Sequence, residues 1–365
     1  ATGSCAYLVR VSHKFFHRRW ISLRILSILL LVLPLAFPEA CAEGVRHGLT
    51  LAGSTAIPAR FPFFVAGGLL SEAGTAAPAW AAKLLRCLYG LPPESLPAVF
   101  LGLTGGYPVG AAVSASLCRE RRLSPADARR CALFCSCASP GFCAALAGVT
   151  LFGSVRAGLL LYGIQAASAL LSGLFVSRET DFSETLPVSS ELSSAKSFSS
   201  AFCAAVRNAA EISLSVAAFL AAFSVVLELM KPLFSRVPLL RLLAPLLELT
   251  SGLDAVSAVF LPETVLFPLV SFALAFGGAA VLMQIQTAFS AESGAALPGL
   301  FRAKLRHGLL AAALACAVCR LFPACMPVFG TARPVSCPSA ASALTLAAVT
   351  VLYVFCTGKT GRDTL

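Results

Sequence analysis

"FLGLTGGYPVGAA", Phe100–Ala112, lies in a run apolar enough for a lipid bilayer, yet two adjacent glycines, a tyrosine and a proline interrupt it. Glycine and proline both weaken a continuous helix, the first by its conformational freedom and the second by its missing N–H. Crossing the hydrocarbon takes about 20 consecutive apolar residues. A segment broken at its centre therefore predicts a chain that turns within the membrane rather than one that crosses it.

The composition makes the membrane the right frame. Of 365 residues 58% are hydrophobic and 12% charged, and the mean hydropathy is +0.84. Soluble domains run at about 45–50% apolar and about 25% charged. The net charge of +11 comes without any basic stripe free of neighbouring apolar spans, so basic loops beside membrane helices account for it and nucleic acid is not the expected partner.

The 14 cysteines are scattered through apolar segments, which fits small apolar packing residues better than a disulfide framework or a metal site. Cys131, Cys135, Cys137 and Cys143 form the densest group, and Cys316-Ala-Val-Cys319 is a CxxC. Phosphate-binding loops, nucleophile elbows and HExxH patterns are absent from the sequence. The expectation is a protein that is not an enzyme and carries no cofactor or metal.

Candidate spans are Ile21 to Phe37, Gly48 to Leu70, Ala126 to Phe152, Ala157 to Val176, Val206 to Met230, Val265 to Ala288, Ala303 to Phe322 and Ser342 to Phe355. The first follows a basic stretch and precedes Ala40-Cys41-Ala42. It reads as an uncleaved first helix, with a signal peptide as the alternative. Ser177 to Ser200 is serine-rich with mixed charge and reads as a solvated linker.

The two sides of that linker share an order of features. Val45-Arg46-His47 and Val206-Arg207-Asn208 each open a long apolar stretch, and a short basic stretch follows each. Then come Leu103-Thr104-Gly105-Gly106 and Leu249-Thr250-Ser251-Gly252, and later the breaks Ser139-Pro140-Gly141 and Gly277-Gly278. The implied divisions are residues 1–44 (basic flank and first helix), 45–176 (first repeat), 177–200 (linker), 201–323 (second repeat) and 324–365 (last helix and tail).

Loop charges supply a topology. With Arg10, Lys14, Arg18 and Arg19 on the cytoplasmic side, Lys83, Arg86 and the Arg119–Arg130 cluster also fall inside. The segment between them then enters and leaves by one face, as a re-entrant hairpin. Three crossings from Val45 to the linker place the second repeat in the opposite orientation. That model puts both termini in the cytoplasm and Lys304, Arg306, Lys359 and Arg362 on the inside, but it exposes Lys231, Arg236 and Arg241 outside. The expected architecture is an all-α, multi-pass cell-membrane protein of two inverted repeats, each with a re-entrant helical hairpin and broken helices, making about eight crossings.

Irregular backbone at membrane depth is tolerated where protein buries it or where it lines a watery cavity, and inverted repeats with broken helices are a usual construction of secondary transporters. On that reading Thr104, Gly105, Gly106, Tyr107, Thr250, Ser251 and Gly252 supply backbone groups and hydroxyls to a small polar solute. Gly277 and Gly278 mark a further break, and Glu248 and Gln284 supply polar side chains to the same solute. Close helix packing is the competing explanation of the glycines. Asp254 reads as a shallow, water-touching residue, and Gln165 and Glu211 as partners of neighbouring helices.

The strings "IPARFPFFVAGGLL" (Ile57 to Leu70), "GLTGGYPVGA" (Gly102 to Ala111), Ser124-Pro125-Ala126-Asp127-Ala128 running into "CSCASPGF", "LLELTSG" (Leu246 to Gly252) and "FGGAAVLMQ" (Phe276 to Gln284) resemble the YlbJ-type sporulation integral membrane proteins, a branch of the nucleoside-recognition or Gate-domain families. The resemblance runs from Val45 to Pro323. The cysteines of "CSCASP" depart from it, since a polar residue is expected there. It implies a protein of endospore-forming bacteria needed for the spore envelope or cortex, a fold similar to concentrative nucleoside transporters, and nucleoside-like ligands. Membrane lipid, the solute, and either a second copy or other sporulation membrane proteins are the expected partners. The alternative is a non-transporting membrane scaffold or ligand sensor.

Overall fold

The computed structural model describes residues 24, 27–73, 77–179 and 197–321, and all regular structure among them is helical. The N-terminal basic flank, most of the serine-rich linker and the expected last span Ser342 to Phe355 lie outside the described residues. Helix α1 covers Ser27–Ala36. Helices α2 (Pro38–Leu51) and α3 (Ile57–Ala73) run on through a wide turn at Ala52–Ala56. A short helix, α4 (Ala79–Leu84), precedes the first hairpin, α5 (Leu96–Thr104) and α6 (Val109–Arg119).

Next come α7 (Pro125–Phe134) and α8 (Pro140–Leu151), separated by an irregular stretch, and the long α9 (Val155–Glu179). The second half opens with α10 (Phe198–Arg236), then a short hairpin of α11 (Ala244–Leu247) and α12 (Leu249–Ser257). A broken pair follows, α13 (Glu263–Phe276) and α14 (Gly278–Ser293), and then α15 (Leu300–Leu321).

Four stretches are long and apolar enough to cross a membrane: Pro38–Leu70, Val155–Val176, Phe198–Arg236 and Glu263–Ala291. The 39 residues of α10 are roughly twice the number needed for a crossing. The expected single span Ala126 to Phe152 is two helices, because the chain unwinds at residues 135–139. The expected span Ala303 to Phe322 lies in α15, whose first two turns carry Arg302, Lys304, Arg306 and His307.

The exterior is apolar. Leu171 and Phe175 on α9, Leu214 and Val226 on α10, and Leu309 on α15 are exposed large side chains. The buried set includes Arg60, Gln165, Glu248, Lys304 and His307. A water-facing domain would show the opposite arrangement; this one suits lipid outside and polar contacts inside.

Small residues let the backbones approach. Gly44 and Gly48, spaced four apart on α2, abut the backbones of Val225 and Ala221 on α10, a small-xxx-small seam of the kind that packs membrane helices. In the first hairpin Gly102 and Gly110 face each other, and a Cβ on Gly102 would lie 2.3 Å from the Cys135 carbonyl. The Cys137 N–H donates to the Gly102 carbonyl at 3.4 Å. Hairpin and helix break are thus fitted together backbone to backbone.

The second half has a counterpart. Cβ atoms on Gly252 and Gly278 would meet the backbone of Pro245 at 2.4 and 2.5 Å. Between the two stretches flanking the linker, α6 packs on α14, and α12 packs on α8.

Candidate functional site

The tip of the first hairpin, Thr104 to Pro108, is buried at its centre. Gly106 has φ +87°, in the region that L side chains rarely adopt. A Cβ there would sit 3.1 Å from Ser139 Cβ and 3.6 Å from Arg60 Nε. Gly105 is packed against Phe63 and Val109, and the Thr104 hydroxyl donates to its own helix, at Phe100 O, 2.8 Å away. These two residues serve packing and helix structure, the competing explanation given by the sequence.

Tyr107 is fully buried and reaches into the other half of the molecule. Its hydroxyl donates to the Leu274 carbonyl of α13 and lies 3.3 Å from Gln165 Oε1. A Cβ on Gly277, which has φ +88°, would lie 3.6 Å from Tyr107 Cζ. The first hairpin tip therefore meets the break between α13 and α14.

Glu248 is 1% exposed and sits in the break between α11 and α12. Its extended backbone ends α11, and its carboxylate starts α12: Oε1 accepts the Thr250 N–H at 2.8 Å and Oε2 the Ser251 N–H at 2.6 Å. The negative group lies on the positive end of the helix dipole and takes up otherwise orphaned donors. The backbone N–H groups of Thr250 and Ser251, expected to serve a solute, are bonded to Glu248. The Ser251 hydroxyl likewise meets Ser224 Oγ at 3.3 Å.

Arg60, from "IPARFPFF", stands between the two hairpins and was not singled out from the sequence. It is 4% exposed, lies over the Phe142 ring at 5.5 Å, and is within electrostatic range of both Glu248 and Tyr107. Its Nε is buried without a hydrogen-bond partner. A guanidinium does not lose its proton in a protein, so this is a fixed positive charge in the interior with a donor to spare.

A polar cluster surrounds the α7–α8 break. The Gln165 carboxamide accepts from Ala138 N and donates to Ala138 O, each at 3.2 Å, standing in for the backbone partners that the unwound chain has lost. Lys304 Nζ donates to the Ser136 carbonyl at 2.9 Å and meets His307 Nδ1 at 3.3 Å. His307 Nε2 lies 3.0 Å from the Gln165 carbonyl. Lys304, which the charge pattern counts on the cytoplasmic side, is fully buried, with the Ser136 carbonyl of the break receiving its ammonium.

Other expected residues separate into buried and exposed. Gln284 is 2% exposed with neither amide atom hydrogen-bonded. Gly252 and Gly278 are packing contacts of the second hairpin. Asp254 and Glu211 are exposed. Cys131, Cys135, Cys137 and Cys143 are free and buried, and among the described residues no His, Cys, Asp and Glu group is arranged to hold a metal ion.

A crevice of about 20 Å³ between α3, α6 and α10 runs from Ser116 and Asn208 to Phe64 and Val109, beside the first tip. A groove of about 430 Å³, lined by Phe219, Met283 and Phe301, is apolar and shares no residue with the tips. The signal that marks Arg60 and Lys304 was present in the sequence: an ionisable residue inside an apolar segment is by default a functional candidate.

Comparison with known proteins gives a partial relation. No family model matches the chain, and no solved structure matches it. Over 142 residues, 38% of the chain, it is 26% identical to the sporulation integral membrane protein YlbJ of Bacillus subtilis (strain 168). The match covers 35% of that protein, so the chain spans about a third of its relative's length.

Proposed function

We propose that the chain is a sporulation-associated integral membrane protein that works as a secondary transporter or exporter of a small polar solute needed for the spore envelope or cortex. Its site lies around Arg60, between the first hairpin tip and the Glu248 break. The observation that carries this reading is Arg60, a buried fixed cation between Gly106 and Glu248 with an unpartnered Nε. Such a group suits a solute with an acidic or strongly accepting group, because the guanidinium fork matches carboxylate and phosphate oxygens. A nucleoside-like solute is the class that the family resemblance implies.

Recurring architecture supports the reading. Each half runs long helix, hairpin with an interrupted turn, broken helix, long helix. The second hairpin arm of each half packs on the second piece of the other half's broken helix. That reciprocity is what a pseudo-two-fold axis between inverted repeats would give. In this reading residues 45–176 and 201–323 are the repeats, both termini are cytoplasmic, and the protein carries out no catalysis and needs no cofactor. Lipid, the solute, and a second copy or other sporulation membrane proteins are its partners. The sporulation setting comes from the relative's name and the resemblance.

Substituting Arg60→Gln and Glu248→Gln in an endospore-forming host, with membrane levels checked, tests the proposal. The expected result is failed spore maturation together with at least tenfold slower solute uptake into vesicles (about 1.4 kcal/mol). Normal spores from both variants would sink the site. Failed spores, in a system where the unmodified protein moves no solute, would favour the scaffold or sensor.

A further inference from the structure

Lys304 stands at the junction of α7, α8, α9, α15 and the first hairpin tip, and no carboxylate among the described residues forms an ion pair with it. Its three N–H bonds have three receivers. Ser136 O lies at 2.9 Å, His307 Nδ1 at 3.3 Å, and the Tyr107 ring face has its centroid 4.8 Å from Nζ. An ammonium has no lone pair, so His307 Nδ1 accepts and its Nε2–H donates to the Gln165 carbonyl. Gln165 in turn holds both backbone atoms of Ala138, two residues beyond Ser136. The titratable groups facing the ammonium are His307, Tyr107, and the Cys135 and Cys137 thiols.

The carbonyl end of a broken membrane helix is electronegative, and unwound carbonyls there commonly coordinate a bound cation. Here the end of α7 presents the Ser136 carbonyl to an ammonium supplied by the chain itself. We propose that Lys304 is a built-in cation, a positioning residue that fills the place of a monovalent metal ion at the α7–α8 break. The fold then holds that break without sodium or potassium. This goes beyond the transport reading and does not depend on it.

Chemical rescue separates charge from packing. The purified full-length chain is unfolded thermally in detergent at constant ionic strength, in sodium, potassium or N-methylglucamine chloride. The wild type is expected to show the same Tm in all three. Lys304→Ala is expected to melt several degrees lower and to recover in propylammonium chloride, which replaces the missing atoms from Cγ to Nζ. Uncharged propanol is expected to restore nothing, and Lys304→Met, of similar length but neutral, to stay low in every salt.

A wild-type Tm that rises in sodium over N-methylglucamine would overturn the proposal, because a separate metal site would then hold the break. Equal rescue by propanol, or a Lys304→Met variant as stable as the wild type, would reduce Lys304 to packing. If Lys304→Ala does not fold, the wild-type salt comparison and the Met variant still decide.

Discussion

Glu248 shows how a charge can be held at membrane depth without an ion pair in contact. Both oxygens receive backbone N–H groups of α12, at 2.8 and 2.6 Å, and Arg60 lies within electrostatic range. Hydrogen bonds to charged groups are the stronger kind, and leaving a buried donor unmade costs about 1–3 kcal/mol. Glu248→Gln keeps the shape but turns one acceptor into an NH₂ that faces a backbone N–H. Its thermal unfolding in detergent should show a loss of about 1–3 kcal/mol, whereas Asp254→Asn, at an exposed position, should change little. That Glu248 and Tyr107 sit at breaks was legible in the sequence from the glycine- and proline-marked strings around them. Arg60 carried a signal too, a charge inside an apolar segment, but only the fold shows that it is buried near Gly106 and Glu248.

At the scale of elements, the first hairpin depends on backbone contact with the α7–α8 break. Gly102, Gly110 and the Cys135 carbonyl converge there, so a single methyl group has no room. Gly102→Ala should destabilise by about 1–3 kcal/mol, the usual penalty of overpacking. Gly163, on α9 with open space where its Cβ would be, is the matched control. Gly163→Ala should be neutral or stabilising by up to about 1 kcal/mol through helix propensity. Thermal melts of the two variants side by side distinguish a packing constraint from a general intolerance of alanine. The breaks themselves were legible from "LTGGYP", "ASPG" and "FGG", since glycine and proline act locally. The interlock was not, because it joins residues 102 and 135 through space and no periodicity records that.

For the molecule as a whole, charge and hydropathy pointed to a helical membrane chain, and the order of motifs led us to propose two related halves. Loop charge is a poorer guide to orientation, because Lys304, counted on the inside, is fully buried and donates to a helix break. In sequence such a lysine looks like one at the end of a span. The orientation of the halves is therefore best read chemically, at two exposed turns after corresponding hairpins: Arg121 between α6 and α7, and Ala258 between α12 and α13. In a background where the exposed Cys87, Cys203 and Cys316 and the cysteines outside the described residues, Cys5, Cys325, Cys337 and Cys356, are replaced by serine, Arg121→Cys and Ala258→Cys are each labelled with a membrane-impermeant maleimide, in intact cells and in inverted vesicles. Inverted repeats require the two sites to react from opposite faces, the first from the cytoplasmic side. Labelling of both from one face would mean that the halves are parallel. The reciprocal packing of α6 on α14 and of α12 on α8 would then have to arise without an axis in the membrane plane.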